Sequence, residues 1–164
     1  MTSQQVQLVL ERIGRGRYRM AKSDTAVELR MSGWRPRGEA IVGQDSYQLQ
    51  RTGLFDRGVS VFGSDGSQLL RLARKNLSVP PLVDCTWSLR SRLHGYDAAL
   101  TSPQIGSITF RVGHGGRSSV TAHVVGAWPE RDVLVVAGAF AVLSRRREDT
   151  EAAASVAAST AAFA

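Results

Sequence analysis

Two clusters of basic residues are the parts of this chain whose types and spacing could do chemistry, and that chemistry is the binding of anions. Arg15, Arg17, Arg19 and Lys22 crowd around Tyr18 and two glycines, Gly14 and Gly16, while Arg71, Arg74 and Lys75 form a second group. Arg117 follows the run Gly113, His114, Gly115, Gly116. Consecutive backbone N–H groups in such a turn can make a nest for a phosphate. The competing reading is plain: solvated strand ends explain the two clusters, a hairpin tip explains the glycines, and no recognisable nucleic-acid module accompanies the charge.

Other chemistries lack their residues. His94, His114 and His123 have neither i, i+4 helical spacing nor a Cys or carboxylate cluster beside them, so no metal site is expected. No Gly-x-Ser-x-Gly elbow is present, which removes the commonest serine-nucleophile signature. Asp65 and Gly66 offer one carboxylate where a calcium loop needs several alternating oxygens, and they read as a turn. The sequence therefore predicts a binding protein with no catalytic residue, no cofactor and no metal.

Charge and composition set the frame for that reading. The net charge of +7 invites a polyanionic partner, either nucleic acid or an acidic lipid surface. Of the 21 basic residues all but Lys22 and Lys75 are arginines, a bias that a GC-rich coding sequence would also produce. Hydrophobic residues at 43% and charged residues at 21% fall in the globular range, and 164 residues suffice to bury one core without staples. The single cysteine, Cys85, cannot form an intramolecular disulfide and fits a reducing compartment. The first ten residues alternate polar and apolar types without a signal-peptide pattern, so a cytoplasmic location, peripheral at a membrane where lipid is the partner, is expected.

The elements that must position these groups are mostly strands. Apolar and polar residues alternate with period two at Val6 to Leu10, Val27 to Met31, Tyr47 to Leu49, Val59 to Val61, Leu70 to Leu72, Trp87 to Leu89, Ile108 to Val112 and Val120 to Val124. Ser64, Asp65 and Gly66 mark a tight hairpin, and the Pro80, Pro81 pair marks the connection between two halves. One stretch departs from the pattern. Val133 to Leu143 is continuously apolar, with Pro129, Glu130 and Asp132 before it and Arg145, Arg146 and Arg147 after it. Those flanks complement a helix dipole at both ends and predict a helix over about 130–147, although its β-branched residues keep a buried strand open.

A helix apolar on every side must be surrounded. Eleven residues span roughly 17 Å at about 1.5 Å each, short of the ~30 Å a membrane core requires. Only the ten or so strands can surround it, so they must curl into an antiparallel, closed or nearly closed barrel with the C-terminal helix inside. The expected layout is one domain over 1–149 and an Ala-rich flexible tail over 150–164.

Several features carry a family resemblance: Leu29 to Trp34 followed by Ala40, Ile41 and a hairpin to Tyr47; a strand, Asp65, Gly66, strand unit ending at Leu70; Trp87 followed by Tyr96; the step Ile105, Gly106, Ser107, Ile108; and Pro129 leading into the apolar helix. In that order they make the chain resemble the tubby C-terminal-like superfamily, which includes phospholipid scramblases and LURP-one-related proteins. The resemblance covers about Arg17 to Arg147 and implies a twelve-stranded barrel around a hydrophobic C-terminal helix. It implies a non-enzymatic binding or scaffold module, meeting anionic or phosphoinositide-like lipid headgroups or a protein partner. The family's headgroup motif does not map residue by residue here. The cysteine-rich and acidic calcium segments of scramblases have no counterpart.

The expected anion or lipid contacts are thus Arg15, Arg17, Arg19, Lys22, Arg71, Arg74, Lys75 and Arg117. Two alternatives stand beside them: nucleic-acid binding through Arg15 to Lys22, and a small hydrophobic-ligand carrier, which fails if the helix fills the lumen. Trp34 and Trp87 are expected to pack on the barrel. Gly138, mid-helix, costs about 1 kcal/mol relative to alanine and predicts an aromatic such as Phe110 or Trp87 resting on the helix backbone. Arg146, past the apolar stretch, is expected to matter little to stability.

Overall fold

The computed structural model describes residues 4–21, 23–33, 35–52, 57–115 and 118–162. Lys22, Trp34 and Arg117 lie outside the described residues.

Alternating side chains give strands at the stretches the sequence predicts, and three further strands, over Arg17–Ala21, Arg37–Val42 and Gly95–Ser102, join them. β1 (Gln5–Gly14), β2 (Arg17–Ala21), β3 (Val27–Met31), β4 (Arg37–Val42), β5 (Asp45–Thr52), β6 (Gly58–Phe62) and β7 (Gln68–Leu72) form the first run. β8 (Thr86–Arg92), β9 (Gly95–Ser102), β10 (Gly106–Gly113) and β11 (Val120–Val125) form the second, and α1 (Arg131–Ala162) ends the chain. Each run is a meander of antiparallel neighbours, and the two join where β1 pairs with β11, Leu8 opposite Ala122. The result is one eleven-stranded, nearly closed barrel, with β7 and β8 as its two free edges. The Asp65 turn behaves as its residues dictate: Gly66 takes φ +83°, and the Asp65 carboxylate accepts from the backbone N–H and hydroxyl of Ser67.

α1 runs through the middle. It lies against β3, β4, β5, β6, β9, β10 and β11, and Val133 to Leu143 are all buried. The inward strand residues Val27, Leu29, Leu49, Val61, Leu70, Leu72, Phe110 and Val124 close around it, each at most 5% exposed. The strand alternative for Val133–Leu143 therefore falls, and the helix occupies the middle of the barrel.

Two glycines set how tightly helix and sheet approach. A β-carbon added to Gly138 of α1 would collide with the ring of Phe110 of β10, and one added to Gly38 of β4 would come within 2.9 Å of Cε2 of Phe140 on α1. Each phenylalanine thus occupies the space left by a missing side chain on the opposite element. Trp87 meets Phe110 edge to face, with ring centroids 6.0 Å apart, and is buried as expected.

The predicted end of the helix near Arg147 is corrected. α1 continues as one element to Ala162, 32 residues and about 48 Å long, and every residue from Thr150 to Ala162 is exposed. The sequence after Arg147 contains no glycine or proline to stop a helix and is rich in alanine, its best former. Arg145 to Arg147 are therefore mid-helix residues at the barrel mouth, not a terminal cap. Among the described residues no helix is long and apolar enough to cross a membrane.

Candidate functional site

The antiparallel order sends every second connection to the same end of the barrel, and cations gather at one of the two ends while carboxylates occur at both. Where α1 leaves, the β1–β2 turn carries Arg15 and Arg17, the β3–β4 loop Arg35 and Arg37, the approach to β6 Arg57, and the turn after β7 Arg74 and Lys75. The outer halves of β8 and β10 add Arg90, Arg92 and Arg111, and α1 itself adds Arg145, Arg146 and Arg147. Where α1 enters, Asp24, Asp45, Asp65, Asp84, Glu130 and Asp132 sit in or beside the connections, with Arg131 among them.

The predicted basic residues fall into separate environments. Arg17 and Arg19 do not point freely outward: both reach Glu28 of β3, at 3.0 and 4.0 Å, and Arg30 joins them at 2.9 Å. The hydrogen bond from Arg30 is the largest influence holding the Glu28 carboxyl below the usual range. Three arginines around one carboxylate leave positive charge in excess, but the group is tied down. Arg15 stands exposed at the turn tip. Arg71 lies across the sheet, its guanidinium on the Thr52 hydroxyl. Arg74 and Lys75 face a cavity shared with Arg51, Arg57, Arg90 and Arg145.

The glycine-rich loop after β10 has a structural task. The carbonyls of Gly113 and Gly115 accept hydrogen bonds from the Arg146 guanidinium at 3.2 and 2.8 Å, and the Tyr18 hydroxyl takes a third at 3.2 Å. Arg146 is only 8% exposed, so the expectation that it lies beyond the buried stretch is wrong. Its guanidinium neutralises carbonyl dipoles at the closed-in mouth of the barrel and pins β2, the loop and α1 together.

The remaining mouth residues interlock. Arg147 donates to the carbonyls of Ser32 and Arg35, fixing the β3–β4 loop. Arg51, pointing inward from β5, pairs with Glu148, and Arg145 pairs with Asp149, which also accepts from the Tyr96 hydroxyl at 2.9 Å. Burial, helped by Arg145 and Arg147 nearby, pulls the Arg51 guanidinium below its usual range.

Sequence reasoning missed Arg51, Arg57, Arg90 and Arg145 as a group, because four separate segments supply them. The available signal was strand direction: counting turns alternately would have put these arginines at one end. Trp128, buried and donating to the Val125 carbonyl at 3.0 Å, was also missed. Comparison with family models, curated proteins and solved structures finds no match for this chain. Among the described residues no group of three or more His, Cys, Asp or Glu could hold a metal ion.

Proposed function

We propose that this chain is a binding module of the tubby-like type, without catalysis, that meets an anionic lipid surface with the barrel end from which α1 leaves. The observation that carries this reading is the concentration of cations at that end, where they outnumber the carboxylates Asp97, Glu148 and Asp149 beside them. Such an excess of positive charge at one end orients the molecule before contact, and each Lys or Arg near an anionic leaflet contributes about 1 kcal/mol. The helix leaving the same end carries one charge beyond Thr150, Glu151, so its approach to headgroups is not opposed by a charged face. The nucleic-acid reading has less support, since Arg17 and Arg19 of its cluster are engaged by Glu28.

Vesicle flotation tests the proposal. Phosphatidylcholine vesicles containing phosphatidylserine should carry the protein upward at low salt and less so at physiological salt, whereas pure phosphatidylcholine should not. Reversing Arg35 and Arg37 to Glu should weaken flotation. Equal behaviour toward both vesicle types would sink the reading, and a salt-dependent gel shift with RNA or DNA in its place would favour the nucleic-acid alternative.

A further inference from the structure

Between α1 and the open seam of the barrel lies a cavity of about 690 Å³, and we infer that it binds a small organic anion with an apolar body, such as a single-chain carboxylate or phosphate monoester. This goes beyond surface contact, since the ligand enters the molecule singly.

The cavity follows from the chain path. β7 and β8 are the edges of the sheet, and after β7 the chain turns back and bonds to it, Arg71 and Ser78 exchanging both backbone hydrogen bonds. That return covers β7 and leaves the upper part of β8 uncovered. Trp87 and Leu89 of β8 and Ala141 of α1 form an apolar wall, and the opening is rimmed by Arg57, Arg74 and Arg90, all exposed. Arg57 holds a left-handed φ of 44°, a conformation that residues other than glycine seldom adopt and that recurs at binding sites. Deeper in stand Arg51 and Arg145, each paired with a carboxylate of α1, Glu148 and Asp149, and among the described residues no carboxylate lines the space itself.

This composition selects the ligand by exclusion. A nucleic-acid backbone would touch the rim cations but could not reach Trp87 and Ala141. A neutral hydrophobe would cover the wall without using the rim arginines Arg57, Arg74 and Arg90, and a cationic amphiphile would be repelled by them. An anionic head at Arg57, Arg74 and Arg90 with an apolar body against Trp87, Leu89 and Ala141 satisfies both parts. The volume lies in the usual range for small-ligand sites.

Calorimetric titration of the full chain with decyl phosphate, below its micelle concentration, is the test. One-to-one binding is expected, with decanoate also binding, inorganic phosphate weaker by about tenfold or more, and decyltrimethylammonium silent. Arg74→Ala, on the exposed rim, should weaken decyl phosphate about tenfold, the effect of one charge-assisted hydrogen bond. Ala141→Leu should abolish binding by filling the wall yet leave vesicle flotation intact, so failure of the cavity and failure of the surface are separately visible. Circular dichroism establishes that each variant folds. Absence of binding, equal binding of the cationic amphiphile, inorganic phosphate binding as tightly as decyl phosphate, or decyl phosphate affinity unchanged in folded Arg74→Ala would each overturn the inference.

Discussion

The ring of Phe110 rests on the backbone of Gly138: a β-carbon added at that glycine would stand 2.6 Å from Cε1 and nearer still to the other two ring atoms at the tip. Phe110 is 1% exposed and stacked edge-on by Trp87, so the ring has nowhere to retreat. Gly138→Leu should therefore overpack the lumen and cost roughly 1 to 3 kcal/mol or more in a urea melt. The double variant Gly138→Ala with Phe110→Leu should be more stable than the sum of its single changes predicts, because the smaller side chain frees the space the methyl needs. Strict additivity would show that the close approach carries no energy.

This contact also shows what the sequence made legible. An all-apolar helix and period-two strands admit few arrangements, and a mid-helix glycine implies a close neighbour. Phe110 was one of two natural candidates. The mouth of the barrel was not legible in the same way. Arg146 reads as one of three consecutive cations after an apolar run, and nothing local separates it from Arg145 or Arg147; only the helix phase relative to the β10–β11 loop turns it inward. Likewise β2 reads as a basic cluster before it reads as a strand, because its apolar positions, Tyr18 and Met20, are outnumbered by arginines. The cavity arginines come together only once the order of strands is known.

Glu28 gives a pH dependence of defined sign. Its folded pKa is depressed, first by the hydrogen bond from Arg30; burial opposes this, and the hydrogen bond from Arg17 with the charges of both arginines keeps the net shift downward. A depressed carboxylate contributes stability above its unfolded value, about 4.3, and loses that contribution as pH falls through the folded value. The arginines around it are about half exposed, so the contribution is under about 1 kcal/mol. Melts of wild type and Glu28→Gln should differ at neutral pH and low salt and converge below about pH 4. A gap that persists or widens in acid would contradict the ion-pair account.

The exposed part of α1 should be separable from folding. Every residue from Thr150 to Ala162 is exposed, and the last link from this helix to the barrel wall is Asp149 with Tyr96. Ending the chain after Thr150 should leave the denaturation midpoint within the range of ordinary surface changes, about 0.5 kcal/mol, while lowering helical ellipticity. A large loss of stability would mean that the segment packs on the barrel.

Arg146 should be the most consequential charged residue at the mouth. Its guanidinium is 8% exposed and donates to Gly113, Gly115 and Tyr18, so removing it leaves two carbonyls and a hydroxyl without their donor in a place water reaches poorly. Unmet buried acceptors cost about 1 to 3 kcal/mol each where they cannot relax, and hydrogen bonds to charged groups contribute about 1.5 to 3. Arg146→Ala should cost about 2 to 4 kcal/mol in total, since the loop can relax in part. Arg146→Lys keeps the charge but not the fork that spans two carbonyls, and should fall between. Tyr18→Phe should cost about 1 kcal/mol and add less than its full cost to Arg146→Ala, because the bond it removes is already gone. Arg12→Ala, at an exposed arginine whose bond among the described residues is to the nearby Gly14 carbonyl, is the control and should shift stability by less than about 0.5 kcal/mol. Chemical denaturation of these four single variants and of the Tyr18→Phe, Arg146→Ala double variant decides whether Arg146 holds the mouth: a cost for Arg146→Ala no greater than for Arg12→Ala would mean that the mouth is held by the helix packing alone.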